Sequence, residues 1–293
     1  MGQTWEEEGT EIEESALMKR RERYNCEVPP EVLYLTAGVD TQDDRFEVEV
    51  VGWGVDYESW GIKYAAIYGD LKLDQVWKDL DAFLAQTFTK PDGTKLKIIC
   101  ACMDTGGHFT NQVYRFCKAR YARGVRAIRG SNDGQAAYIQ KPTKNNREGA
   151  YLFTLGVDTG KSLLLQRLLL DEEGPGYCHF PKEDGRGYDE SYFIGLTAEK
   201  QILTYKRGRP VFEWKIKDYN DRLRYIPYHG EDAGGEARRG HAHIGGDLPH
   251  AGIDRIENTR EVAHDPADKK LFEPVCYRVK NTAQIDYLVL SSG

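Results

Sequence analysis

Val32-Leu33-Tyr34-Leu35-Thr36-Ala37-Gly38-Val39-Asp40 is an apolar run of strand length that ends in a carboxylate. A run without polar alternation predicts a central strand covered on both faces. After the polar turn Thr41-Gln42-Asp43-Asp44-Arg45 comes Phe46-Glu47-Val48-Glu49-Val50, whose strict alternation predicts a half-buried strand. Ser59-Trp60-Gly61-Ile62-Lys63-Tyr64 supplies a third strand beyond the turn Val55-Asp56-Tyr57-Glu58. Links this short join antiparallel neighbours, so the three strands form a meander.

Leu73, Val76, Trp77, Leu80, Phe83 and Leu84 then recur at helical spacing, with Asp70 or Asp74 as the capping residue. Lys97-Ile98-Ile99-Cys100-Ala101-Cys102-Met103 is another buried strand, and it too ends in an acid, Asp104, before the Gly106-Gly107 break. A helix over roughly 110–121 turns Val113, Phe116 and Cys117 inward, and Val125-Arg126-Ala127-Ile128 is a fifth strand. Strand–helix–strand order predicts parallel pairing through a right-handed crossover. The expected fold is α/β: a mixed five-stranded sheet, antiparallel meander plus parallel strands, flanked by helices. Further along, residues 131–149 read as a polar loop, Tyr151-Leu152-Phe153-Thr154-Leu155 as a strand and Lys161 to Leu170 as a helix. The chain divides into an acidic tether, 1–30, closed by Val28-Pro29-Pro30; a folded region, 31–217; and an irregular tail, 218–293.

Lys and Arg number 40 against 47 Asp and Glu, a formal net charge of −7 over 293 residues. Binding nucleic acid by overall charge needs a basic domain, so a polyanion must be met by a local patch or through cations. No stretch approaches the ~18 consecutive apolar residues of a membrane span. The start, Thr4-Trp5-Glu6-Glu7-Glu8, is acidic where an export signal is basic and then apolar. Membrane and secreted readings are disfavoured. The six cysteines, 26, 100, 102, 117, 178 and 276, contain no Cys-x-x-Cys pair, which favours reduced, buried thiols.

Asp40 and Asp104, each ending a buried strand, are the sharpest chemical feature. Neighbouring strands set such carboxylates side by side at one sheet rim. Hard oxygen donors there suit Mg²⁺ or Mn²⁺, and two ions can clamp the attacking and leaving oxygens of a phosphodiester. The plain alternative is that each aspartate begins a turn. The topology weighs for the metal: three antiparallel strands, then α-β, with acids on the first and fourth strands, is the ribonuclease-H-like arrangement. Arg115, Lys118, Arg120, Arg123, Arg126 and Arg129 fall within fifteen residues with no intervening acid. They form either a solvated surface or a phosphate-contacting patch close to Asp104, extended by Lys141, Lys144 and Arg147.

Other motifs weigh less. His108 follows the glycine break near the expected site. Gly156-Val157-Asp158-Thr159-Gly160-Lys161-Ser162 ends like a phosphate-binding loop, but three residues separate its glycines where that loop has four. A strand-to-helix turn with Asp158 near the helix start is the favoured reading. His241 and His243, with His229 and His250, lack the spaced partners of a transition-metal site.

One family carries these motifs in this order: Thr4-Trp5-Glu6-Glu7, Leu35 to Asp40 with Gln42 and Asp44-Arg45, Gly52-Trp53-Gly54, Glu58-Ser59-Trp60, Met103 to Gly107, Gly156 to Lys161, His179-Phe180-Pro181 and Leu196 to Glu199. Over roughly residues 4–217 the chain resembles the nuclease half of the large terminase subunit of lambda-type tailed phages. The resemblance implies a metal-dependent endonuclease, with two Mg²⁺ or Mn²⁺ ions, that cuts concatemeric double-stranded DNA during genome packaging. It also implies a small terminase subunit and a portal or prohead as partners, and the host cytoplasm as location. Asp40 and Asp104 match two of the family's metal-binding acids. The ATP-driven motor that precedes this region in the family is missing from the sequence, so the nuclease half alone is expected. The family's Arg-Asn-Glu-x-Leu-Asp segment, whose aspartate completes the acidic cluster, is replaced after Phe212-Glu213-Trp214-Lys215 by Ile216 to Asp221. Asp218, Asp221, Asp158, Asp44, Glu231 and Asp232 are the candidates for the third ligand. Two other functions stay open: a catalytically silent DNA- or capsid-docking module with the same fold, and a P-loop nucleotide hydrolase using Lys161.

Overall fold

The computed structural model describes residues 9–206 and 208–217, and beyond them the backbone of residues 258–259, 273–279 and 284–290. Ahead of the decisive run stand β1 (Gly9–Thr10) and α1 (Glu14–Lys19). The run becomes β2 (Tyr34–Thr41), followed by β3 (Arg45–Trp53), β4 (Ser59–Tyr68), α2 (Asp74–Leu84), β5 (Thr87–Thr89), β6 (Lys95–Asp104), α3 (Thr110–Ala119) and β7 (Val125–Gly130). The stretch read as a polar loop holds two short strands, β8 (Tyr138–Ile139) and β9 (Thr143–Lys144). Then come β10 (Tyr151–Leu155), α4 (Val157–Leu168), β11 (Cys178–His179), α5 (Glu190–Leu196), β12 (Glu199–Lys206) and β13 (Arg209–Ile216). Beyond 217, β14 (Asn258–Thr259) pairs with β8, and β15 (Glu273–Val279) with β16 (Gln284–Leu290) as an antiparallel hairpin.

The five expected strands form the centre of a mixed sheet in the order β4-β3-β2-β6-β7, which is the ribonuclease-H order; β10 and β8 extend it on one side and β11 on the other. The meander β2-β3-β4 is antiparallel, and β2-β6-β7-β10 run parallel. β12 and β13 make a separate small sheet with β1.

The period-2 alternation of the strands divides the core. Leu35, Ala37 and Val39 of β2, Phe46, Val48 and Val50 of β3, and Ala101 and Met103 of β6 face α2 and α3, against Val76, Leu80, Val113 and Phe116. Val51, Trp53, Cys100, Cys102, Ile128 and Phe153 face the other way, against Leu164, Leu165 and Leu168 of α4 and Tyr192, Phe193 and Leu196 of α5. Leu17 of α1 and Val28 are fully buried, so the charged N-terminal segment packs on the sheet. Cys26, Cys100, Cys102, Cys117 and Cys178 are free thiols.

Local differences from expectation have physical causes. Leu73, not an aspartate, precedes α2; Asp70 instead accepts the Lys72 N–H at 2.9 Å, and Asp74 sits in the first turn, where the helix dipole favours an acid. α4 starts at Val157, ahead of the expected Lys161, directly after β10 with Gly156 at its N-cap. β3 is buried on both faces although its alternation predicts a wet one. Glu49 is fully buried because Tyr188 and Tyr192 donate hydroxyl hydrogens to its Oε1 at 2.7 and 3.0 Å.

Register sets which residues share a face. Leu35 pairs with Ile98, but Thr36 pairs with Cys100, so Ile99 is an extra residue bulged out of β6. The bulge brings Cys100, Cys102 and Asp104 into phase with Thr36, Gly38 and Asp40. Gly124 makes room for it. Its φ is +85°, and a Cβ there would lie 2.1 Å from the Ile99 carbonyl oxygen. The substitution Gly124→Ala therefore combines a left-handed backbone with a collision against the bulge. Chemical denaturation is expected to show a loss of more than about 2 kcal/mol.

Candidate active site

Asp40 and Asp104 come to the same rim. Val39 pairs with Met103 across the parallel β2–β6 ladder, and the next residues on each strand are the two aspartates. Both are buried, at 0% and 4% exposure. The two strand ends are tied together by the Thr41 hydroxyl, which donates to the Asp104 carbonyl at 3.2 Å. Gln42 Nε2 donates to Asp40 Oδ2. The Gly106 N–H donates to Asp104 Oδ2 at 3.0 Å, using the glycine break as a backbone cradle.

A third carboxylate stands on this face. Glu47 is the direct cross-strand partner of Asp40 in the antiparallel β2–β3 ladder and is 7% exposed. Arg45 Nε donates to its Oε1 at 2.8 Å and the Tyr64 hydroxyl to its Oε2 at 2.5 Å. Reasoning from sequence assigned Glu47 to the solvent side of a half-buried strand. The strand pairing runs one residue further than the polar turn suggests: Thr41 pairs with Phe46, so the connection is the four residues 42–45 and Glu47 falls opposite Asp40. At the mouth of the site His108 Nδ1 meets Asp43 Oδ1 at 2.9 Å, both side chains largely exposed, joining the loops that follow β2 and β6.

The candidates for a third ligand fall apart. Asp44 points to solvent and pairs with Arg45 at 2.7 Å. Asp158 stands in the first turn of α4, at the same rim, in space that a side chain at Gly134 would take. It lines a cleft of about 520 Å³ with Ser162, Gln201, Phe212 and Trp214. β10, which leads into it, lies two strands from β6, or about 10 Å at the usual strand spacing. Asp218, Asp221, Glu231, Asp232 and the histidines 229, 241, 243 and 250 lie outside the described residues. Among the described residues, the one set of three ligand atoms lying within 4.8 Å of one another is Glu22, Glu173 and His179, away from this rim.

The basic run is partly neutralised by acids distant in sequence. Arg120 donates Nε and Nη2 to Asp81 at 2.6 and 2.9 Å, and Arg123 donates Nη1 to Asp81 at 2.7 Å. Arg115 pairs with Glu148 at 2.9 Å, Lys118 donates to the Glu148 carbonyl, and Arg126 stacks on Tyr121. Arg129 follows Ile128, the register partner of Asp104, and is exposed, as are Lys141, Lys144 and Arg147.

Lys161 is not a phosphate ligand. Its Nζ lies 2.5 Å from Glu199 Oε2, with side chains 3% and 0% exposed, inside the apolar packing of α4 and β12. That geometry removes the P-loop reading.

The family described as terminase large subunit gpA, endonuclease domain, matches residues 1–224. The chain belongs to this family. It is 35% identical over 222 residues to the large terminase subunit of Escherichia phage lambda and 30% identical over 223 residues to that of Enterobacteria phage P21. Each alignment covers 74% of this chain and 34% or 35% of the relative, so the chain spans about a third of their length. A solved mutant nuclease domain of the large terminase subunit gp2 of bacterial virus Sf6, with manganese, aligns at 12% identity with a TM-score of 0.39, covering 69% of this chain and 87% of that one. No helix among the described residues is long and apolar enough to cross a membrane.

Two outcomes follow for this gpA-family domain. Lys161→Ala leaves the Glu199 carboxylate buried alone and is expected to cost about 3–5 kcal/mol in urea unfolding, whereas Lys161→Met with Glu199→Leu recovers most of it. The bonds from Arg120 and Arg123 hold the Asp81 carboxyl below its usual range. The clamp's contribution is thus present above the unfolded carboxyl value of ~3.9 and is lost as pH falls through the lower folded value. The stability gap between wild type and Asp81→Asn should be about 1 kcal/mol at neutral pH and shrink below about pH 4.

Proposed function

We propose that the chain is a divalent-metal-dependent DNA endonuclease whose reaction centre is the Asp40–Asp104 rim. The observation that carries this reading is the register: two buried aspartates end adjacent parallel strands on one face, 64 residues apart in sequence. The donor set fits Mg²⁺ or Mn²⁺. It offers hard carboxylate oxygens from Asp40 and Asp104, with the charge of Glu47 beside them. Divalent ions bound there would activate a water and neutralise charge on a phosphodiester.

The chain's own residues do the rest. Gln42 and Gly106 hold the two carboxylates by hydrogen bonds, so their oxygens meet a cation without first reorganising. Arg45 and Tyr64 hold Glu47 back from Asp40. Arg129, Lys141, Lys144 and Lys118 would contact phosphates and carry no base information, while Arg115, Arg120, Arg123 and Arg126 stand behind them on their acidic and aromatic partners. Asp158 at the same rim, and Asp218 or Asp221 beyond the described residues, are the acids to complete the ligand set. Concatemeric double-stranded viral DNA as substrate, a small terminase subunit and a portal or prohead as partners, and the host cytoplasm as setting follow from family membership as part of this proposal.

The test is Mn²⁺-dependent nicking of supercoiled plasmid. Asp40→Asn and Asp104→Asn are each expected to lower the rate at least about 100-fold while DNA binding persists. If wild type and both variants are equally inert and all bind DNA, the chain is instead a silent docking module.

A further inference from the structure

At the opposite edge of the sheet, where β11 pairs with the start of β4, His179 lies buried at 6% exposure with an acid facing each ring nitrogen. We propose that Glu22, Glu173 and His179 form a second divalent-cation site, of the imidazole–carboxylate kind that takes Zn²⁺, independent of the Asp40–Asp104 centre. One ligand atom from each of the three lies within 4.8 Å of the other two.

The histidine is oriented as a metal ligand would be. Glu58 Oε1 lies 3.0 Å from Nε2 and also accepts the Gly174 N–H at 2.9 Å. Glu58 is an acceptor on that side and can take the Nε2 hydrogen, so a cation on the Nδ1 side, where Glu22 Oε1 lies 2.5 Å away, would stand in place of the proton that otherwise joins the two. A carboxylate behind a metal-bound imidazole fixes its tautomer and raises its basicity in this way. The ring plane is set by Trp60, stacked 5° from parallel at 4.8 Å, and by the edge of Tyr177 at 4.7 Å. The ring has little freedom to follow a carboxylate elsewhere.

Charge also asks for more than a proton. Glu22, Glu58 and Glu173 converge on one imidazole, and protonation supplies a single positive charge. Arg20, the neighbouring cation, is committed elsewhere: it stacks on Tyr177 at 4.3 Å and donates to the Leu168 and Cys178 carbonyls. One imidazole and two carboxylates leave a further position open to water from the exposed Glu173 side.

The three ligands come from different segments. Glu22 follows α1 and bridges to Pro181, Glu173 lies in the loop after α4, and His179 is in β11. A bound ion therefore staples the N-terminal segment to the sheet edge.

Zn²⁺ alone is titrated into metal-free full-length chain carrying Asp40→Asn and Asp104→Asn, which disables the other centre. The expected result is one bound ion per chain, a higher melting temperature, and a cobalt-substituted form with visible absorption typical of nitrogen and oxygen donors. In that background Glu173→Gln, at an exposed position that leaves folding intact, weakens binding at least ~10-fold and abolishes the thermal shift. Glu58→Gln, a positioning change, weakens it by about 10–100-fold. Binding unaltered by both Glu173→Gln and His179→Gln overturns the proposal, as does failure of the folded chain to bind Zn²⁺.

Discussion

The bulge at Ile99 is the constraint on which the site depends. Side chains alternate along a strand with period 2, so a slip of one residue exchanges the two faces of a sheet. Had β6 continued the register it begins with, Leu35 against Ile98, Met103 would stand beside Asp40 and Asp104 would point toward α2 and α3. The extra residue corrects the phase. It needs a neighbour without a side chain, which is Gly124, whose carbonyl also accepts the Ala101 N–H at 3.0 Å and closes the ladder beyond the bulge. A residue 20 positions from the nearer aspartate in sequence thereby decides whether they meet.

The face so assembled carries an unusual load of acid for a core. Asp40, Glu47, Glu49 and Asp104 are all at or below 7% exposure, and removing each charge from water costs several kcal/mol. The protein meets that cost with donors placed around the face: two tyrosine hydroxyls for Glu49, a guanidinium and a hydroxyl for Glu47, an amide for Asp40 and a backbone N–H for Asp104. Tyr188 carries a physical trace of this arrangement, since burial first and the Glu49 charge next push its phenol well above the ordinary tyrosine value. It stays protonated and remains a donor. Like charges gathered on one rim lower stability and favour cation capture, the kind of local disadvantage that functional sites retain.

Much of this was legible in the sequence because it is local. The uninterrupted run 32–39, the alternation 46–50 and the helical spacing of 73–84 each report burial through periodicity, and together they dictate the strand order of the central sheet. The Asp40–Asp104 pairing followed from two strands ending alike. The burial of Glu47 and Glu49 was not legible, since what covers them comes from Tyr64, Tyr188 and Tyr192, far along the chain, and an alternating strand looks the same whether its polar face meets water or phenol. The bulge left no mark either. Ile98-Ile99 reads as two more apolar residues in a run. The basic stretch 115–129 looked unopposed for the same reason, its partners Asp81 and Glu148 lying outside the window.

That last point bears on how an acidic chain meets a polyanion. Asp81 and Glu148 use Arg120, Arg123 and Arg115 to join α2, the α3 end and the loop before β10, so those guanidinium groups hold the scaffold beneath the rim. Arg120 adds a stacking contact over Phe116 at 3.9 Å, which further fixes its position. The cations left facing solvent, Arg129, Lys141, Lys144 and Arg147, belong to β7 and the stretch between it and β10, on the side of the sheet where Asp158 also stands. Phosphate attraction decays within about 10 Å at ordinary ionic strength. A DNA backbone held by that local group would then approach the carboxylates from the β10 side, where the cleft beside Asp158 opens, and the −7 of the whole chain would repel it elsewhere. On the proposed reading, the acidic surface would so restrict where a duplex can settle.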